Sequence, residues 1–444
     1  MSGGAGPRAT PELLAPAGTL RNLRYALAYG ADAVYAGIPR YSLRVRNNDF
    51  DAANLATGIA ETHARGRRFY LAVNLMPHGA KLDTFLNDLA PVVALGPDAV
   101  IMADPGLILL VRERWPELPV HLSVQANTTN AAAVRFWQRQ GIRRVILSRE
   151  LSLEEIAAIR DACPDIELEV FVHGALCIAY SGRCLLSGWL NHRDANQGAC
   201  TNACRWRYRP ARIAPASAQD AGIGRHPQAD EVWLLEEAER PGEYMPVLED
   251  EQGTYIMNAR DLRAVRYVGR LAAMGIDCLK IEGRTKSHYY TAETTSVYRR
   301  AIDDAAAGQP FDPALLDALD GLANRGYTEG FLRRHAPEEL QNYVDGSSRS
   351  RRRLFVGDVL GLDPDSGLAE VAVRNRFAVG DELELVTPAG RSGFQLSGMY
   401  AADDGRSLDV APGDGWHVRL RLPAAADGFG LLTRSIPGIA DSHR

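Results

Sequence analysis

Four of the six cysteines fall close together: Cys177, six residues, Cys184, fifteen residues, Cys200, three residues, Cys204. Thiolates bunched in this way suit a metal or redox centre, whereas six cysteines in 444 residues are too few for a disulfide scaffold. Gly182, Gly188 and Gly198 lie among them, so the backbone can bend four sulfurs toward one point. Structural zinc sites usually show two close pairs with about two to four residues inside each, and only Cys200 with Cys204 meets that. Iron-sulfur ligands tolerate wider spacing, so the pattern favours a 4Fe-4S cluster, with zinc as the alternative. Cys163 and Cys278 read as buried free thiols, the latter in the apolar stretch Ile276 to Ile281.

The elements that must carry these residues are legible as eight short apolar runs. They are Leu13 to Ala15, Ala33 to Tyr35, Phe69 to Val73, Ala99 to Met102, Val120 to Val124, Val145 to Leu147, Leu168 to Val172 and Cys278 to Ile281. Between them, segments such as Leu20 to Tyr29, Phe85 to Leu95, Ala131 to Gln140 and Leu153 to Ala162 space their apolar residues as amphipathic helices do. Eight such repeats predict an α/β fold, a TIM-like β/α barrel over residues 10–308, preceded by a disordered N-terminus at 1–9. Between the seventh and eighth strands a barrel needs one helix, which Arg263 to Met274 can supply. About 174–260 is therefore an insertion, and it contains the four cysteines; residues 211–230 look disordered. Beyond a closing helix from Tyr289 to Ala307, a helical and basic linker is expected over 309–353. A small antiparallel β-barrel domain follows over 354–440, marked by turn pairs such as Gly380-Asp381 and Asp404-Gly405.

In a β/α barrel the functional groups sit at the carboxyl ends of the strands. Here those ends carry Asn74, Asp104, Gln125 and Asn127, Ser148 and Arg149, His173, and Glu282 with Arg284. Lys280 and Glu282 alternate with Leu279 and Ile281, so both should face the barrel interior, as a structural ion pair or as site residues. His78 and His173 are candidates for proton transfer, with Glu282 beside them as a catalytic candidate; a hydrogen-bonded structural role is the alternative for each histidine.

The composition, 46% hydrophobic and 24% charged, is that of a globular protein, and a net charge of -5 excludes a general polyanion binder. The start lacks the apolar core of a signal peptide and no run is long enough to span a membrane, so a cytoplasmic location is expected. Contact with nucleic acid must come from local patches. Arg205-Trp206-Arg207-Tyr208-Arg209 alternates cations with aromatics, a composition suited to phosphates and stacked bases, or to a lid over the metal centre. Arg351, Arg352 and Arg353 form a second basic run, which could equally be a solvated linker.

The stretch from Glu169 through His173-Gly174-Ala175-Leu176-Cys177 to Gly182-Arg183-Cys184 closely resembles the signature of the collagenase-like Peptidase family U32. Glu12 to Gly18, Gly30 to Gly37, Ser42 to Asn48 and Asn191-His192-Arg193 are similar to its tRNA-hydroxylating branch, and the resemblance spans about residues 10–440. It implies a prephenate-dependent enzyme that hydroxylates carbon 5 of the wobble uridine in the anticodon arm of tRNA, with an iron-sulfur cluster on Cys177, Cys184, Cys200 and Cys204. Some relatives place their fourth ligand further downstream, near where this chain has Met257; Cys204 offers it here. Prephenate carries two carboxylates and calls for forked cations. Arg44, Arg46, Arg149, Lys280, Arg284 and Lys286, with Asn74, Gln125 and Asn127, are the expected substrate-binding set at the barrel mouth. Neither Gly-x-Ser-x-Gly nor His-Glu-x-x-His occurs, which argues against hydrolysis, although a Cys177–His173 pair keeps a peptidase conceivable. A non-catalytic RNA-binding module with structural zinc is the remaining alternative.

Overall fold

The computed structural model describes residues 10–38, 40–43, 49–177, 184, 233–236, 244–250, 253–255, 259–333, 353–363, 366–424, 426 and 428–436. The expected N-terminal disorder at 1–9 and the segment 211–230 lie outside the described residues.

Apolar runs too short for helices become parallel strands: β1 (Glu12–Pro16), β2 (Ala33–Gly37), β3 (Arg68–Val73), β4 (Ala99–Met102), β5 (Val120–Leu122), β6 (Arg144–Ile146) and β7 (Glu167–Ala175). The helices between them are α1 (Leu20–Ala28), α2 (Ala52–His63), α3 (Ala80–Val93), α4 (Pro105–Arg114), α5 (Ala131–Arg139) and α6 (Leu153–Ala162). Most begin where a polar side chain caps free backbone amides: Thr19, Asp51, Asp104, Asn130 and Ser152, the last in a capping box with Glu155. Each strand pairs with its predecessor, and the ring closes through β12 (Cys278–Ile281), bonded in parallel to both β7 and β1. The expected closed barrel is therefore the observed fold.

The insertion departs from one helix and a loop. Three strands in it, β8 (Trp233–Glu236), β9 (Tyr244–Asp250) and β10 (Gly253–Tyr255), form an antiparallel sheet of their own. The chain returns as β11 (Asp261–Arg263), antiparallel to the end of β7, before α7 (Val268–Met274) leads into β12. After the long helix α8 (His288–Ala306), the described part of the segment expected as a helical linker holds one α-helix, α9 (Ala314–Asp320), and a 3-10 turn at Gly330–Leu332. It also adds β13 (Tyr327–Thr328) beside β11 and buries Leu315, Leu319, Leu322 and Leu332 in the barrel's core.

The C-terminal region is antiparallel β structure, as expected. One sheet runs in the order Gly390–Gln395, Glu382–Thr387, Leu431–Ser435, Arg353–Leu362, Ala369–Val373, His417–Leu420, Met399–Ala401, Ser407–Leu408. It encloses a second core around Val356, Val371, Phe377, Leu385 and Leu432. It is fastened to the barrel by both rings and charges. Tyr289 of α8 stacks on Phe355 at 4.7 Å, and Tyr29 donates to the carbonyls of Val386 and Phe429. Asp358, with its side chain only 1% exposed, accepts from His288 at 2.6 Å and pairs with Arg21 and Arg374 at 2.8 Å. Burial alone would raise its pKa, but those hydrogen bonds hold it down to about 2. Among the described residues no helix is long and apolar enough to cross a membrane.

Candidate functional site

Barrels of this kind usually fill their centre with branched aliphatic side chains. This one holds charge there. Glu12 at the start of β1 accepts from Arg144 of β6 at 2.7 Å and from the Tyr70 hydroxyl of β3 at 2.9 Å. Arg144 also reaches Glu169 of β7 at 3.3 Å, and Glu169 accepts from Lys280 of β12 at 2.8 Å. These groups come from strands on all sides of the ring, so their meeting point is its axis. Two buried carboxylates and two buried cations balance, which is the condition for keeping charges away from water. His121 of β5 lies against the Tyr70 ring, and burial among these cations pushes its pKa far down, so it stays neutral.

At the carboxyl-terminal end this column opens into an alternation of cations and rings. Arg149 lies 3.8 Å from the centre of the Phe171 ring, and Lys280 lies 5.4 Å from it. Lys280 is also 4.3 Å from the centre of the Tyr35 ring, which has Arg284 at 5.7 Å. The order across the mouth is Arg149, Phe171, Lys280, Tyr35, Arg284. Glu282 joins Arg149 at 3.4 Å. The Arg284 guanidinium reaches the Leu43 carbonyl at 2.5 Å and the Ser42 hydroxyl, and Gly37 makes room for it, because a Cβ there would strike both side chains. Three cations against two carboxylates, with flat apolar faces between them, can receive a small molecule bearing carboxylates and an unsaturated ring.

The loops around the mouth are tied to one another. Asn74 accepts from the Leu43 amide at 3.1 Å and donates to Ser123 at 3.4 Å. Asn127, held in left-handed backbone, accepts from Ser148, whose neighbour is Arg149. Gln125 is half-buried in the short turn between Ser123 and Asn127. The structure thus brings together Asn74, Gln125, Asn127, Arg149, Lys280, Glu282 and Arg284. Lys286 lies further out, over the Tyr290 ring at 5.4 Å. His78 is exposed in the loop after β3. Arg44, Arg46, Cys200, Cys204, Arg205, Trp206, Arg207, Tyr208, Arg209, Arg351 and Arg352 lie outside the described residues.

Two expectations need correction. His173 does not open onto the mouth. Lys280 pairs with Phe171 and Ile281 with His173, so Val172 is the extra residue of a bulge, and the strand beyond it turns its side chains over. His173 ends up among the rings of Tyr290, Tyr298 and Tyr327, on the side of α8. Burial lowers its pKa to about 3, its Nδ1 lies 3.4 Å from the Tyr298 hydroxyl, and its Nε2 is buried without a partner among the described residues. No hydrogen bond joins it to Cys177. Arg353 is not part of a free basic run: it begins the first strand of the C-terminal sheet and pairs with Glu384.

Cys177 stands two residues beyond the end of β7 and is exposed; Cys184 is partly exposed. Accessible sulfurs fit the donor chemistry of an iron-sulfur centre, whereas Cys163 and Cys278 are buried, as expected. Sequence reasoning missed Glu169, Phe171 and Tyr35. The alternation of β7 offered a signal for the first two, since Glu169 and Phe171 share the face that Lys280 meets.

Residues 18–342 match Peptidase family U32, and residues 351–434 match the Peptidase family U32 C-terminal domain. The chain belongs to Peptidase family U32. It is 59% identical to tRNA hydroxylation protein P of Escherichia coli (strain K12), over 96% of this chain and 97% of that one. It is 54% identical to the protein of the same name from Haemophilus influenzae, over 96% of each chain. A more distant relative, named Collagenase, from Porphyromonas gingivalis, is 27% identical over 85% of this chain and 86% of that one.

Proposed function

We propose that this U32 protein is a tRNA hydroxylase that converts the wobble uridine to 5-hydroxyuridine, with prephenate as co-substrate and a 4Fe-4S cluster on Cys177, Cys184, Cys200 and Cys204. The observation that carries the tRNA reading is near-full-length identity of 59% and 54% to two proteins named for tRNA hydroxylation. The dicarboxylate reading is supported by the mouth, where forked Arg149 and Arg284 flank Lys280 and the rings of Phe171 and Tyr35 separate them.

In this reading the arginines each take one carboxylate in a bidentate grip and Lys280 supplies a fixed charge between them. The rings bracket the cyclohexadiene and keep water off its faces. Glu282, beside Arg149, is the carboxylate placed to accept a proton at the mouth. Cys177, Cys184, Cys200 and Cys204 would hold the cluster, which would supply one-electron chemistry. Arg205 to Arg209 and the Arg351-Arg352 pair engage the anticodon arm.

Nucleoside mass spectrometry of tRNA from a strain lacking the protein tests the proposal. The 5-hydroxyuridine signal should vanish, return with the wild-type protein, and fail to return with Cys177→Ala or in cells that cannot make prephenate. An undiminished signal in the deletion strain would end the assignment. Full rescue by Cys177→Ala would end the cluster's part in it. Gelatin cleavage by pure protein, lost in the same variant, would favour the peptidase reading.

A further inference from the structure

A cleft of about 600 Å³ runs from the mouth along the start of α8, between the β1–α1 and β12–α8 loops. Among the described residues its charged lining is Arg21, Arg284 and Lys286 with the carboxylate Asp49, and His288 at its far end. With Asp358 behind Arg21 at 2.8 Å, the described residues leave a local excess of one positive charge, on a chain whose total is -5. The opposite end of the barrel makes the contrast. A larger cleft there, about 750 Å³, is also rich in arginine, but its cations are answered by more acids: Arg67 and Arg299 meet Asp32, and Arg68 meets Glu12.

We propose that the cleft beside the mouth binds the phosphodiester backbone of the RNA whose base enters the barrel. The inference rests on the RNA reading above and assigns it a surface. Arg284 is shared: it closes the row of cations and rings across the mouth and also lines this cleft. A nucleotide with its base at the mouth therefore has its flanking phosphates at the cleft's entrance. Lys286, expected from sequence to hold the small co-substrate, belongs to this strip instead. The C-terminal domain takes part, because its buried Asp358 fixes both Arg21 and His288 where they border the cleft. The exposed rim residue Thr285 leaves the strip open to a polymer, and the volume exceeds what one carboxylate needs.

The test is binding of full-length protein to an unmodified tRNA transcript across a salt series. Lys286→Gln should weaken binding several-fold and reduce the slope of log affinity against log salt by about 0.7–0.9, the value of one lost phosphate contact. Thr285→Glu, which adds a negative charge without removing a packed side chain, should weaken it comparably. Both losses should be the same for RNAs of different sequence, as for backbone contacts, with melting temperatures unchanged. Wild-type protein that binds tRNA alongside variants of equal affinity and slope would overturn the cleft assignment alone. Wild-type protein that binds no tRNA would overturn the RNA reading and the cleft with it.

Discussion

Lys280 and Glu169 meet at 2.8 Å in the middle of the barrel, with side chains 3% and 0% exposed. Neither charge has water to fall back on, so each depends on the other. Lys280→Met should destabilise the fold by about 3–5 kcal/mol, because Glu169 is left buried and short of a partner. Joint replacement of both by apolar residues of similar size should recover most of that loss. Chemical denaturation of the two variants measures the difference; a mild single variant would show that the pair is not coupled as described.

His173 should make the protein acid-sensitive. In the unfolded chain it protonates near its ordinary value of 6.5, while in the fold burial holds it neutral down to about 3. The unfolded state therefore binds the extra proton first, and stability falls as pH drops from 6.5 to 3. The loss is about 2 kcal/mol at pH 5. His173→Phe, which keeps a ring among the three tyrosines, should show a flatter stability profile over that window. Identical slopes for the two proteins would remove His173 as the cause.

Asp358 acts in the opposite range. Its pKa is lowered to about 2 from an ordinary 3.8, so its contribution is present above 3.8 and fades as pH falls through 2. Asp358→Asn should cost about 2 kcal/mol at neutral pH, with the gap to wild type closing below pH 4. The change should expose Phe355 and Tyr289 first, so hydrogen exchange at the domain junction is the informative readout.

Gly37→Ala separates binding from folding. The added Cβ would strike the tip of Arg284 and the Ser42 hydroxyl, and the arginine tip is the easier of the two to displace. The co-substrate KM should rise about tenfold, the equivalent of roughly 1.4 kcal/mol, while the melting temperature moves by only a few degrees. A collapse in stability with unchanged KM would show that the glycine serves packing alone.

The barrel was legible because each strand is a compact apolar run and each outer helix shows its period, and both signals are local. Lys280 and Glu282 were placed inward correctly by simple alternation. Their partners were harder to find: Glu169 and Arg149 lie more than a hundred residues away, and nothing near Lys280 in sequence says which acid completes it. His173 was misplaced for a different reason. One extra residue at Val172 reverses the direction of every later side chain, and a bulge leaves no mark on composition. Strands of two or three residues, such as β11 and β13, are too short to show any period. Arg353 was read with its basic neighbours because a run of like charge looks solvated until an acid from another strand is seen beside it.

Ala175 and Asp261 sit opposite each other in the antiparallel ladder between β7 and β11. The excursion carrying the cysteines thus leaves and rejoins the barrel at one spot, like a bag drawn shut at its neck. Lengthening or trimming such a closed excursion changes its closure entropy only slowly with size. Evolution, or an engineer, can accordingly exchange what it contains without retuning the ring beneath, provided the two neck strands stay zipped.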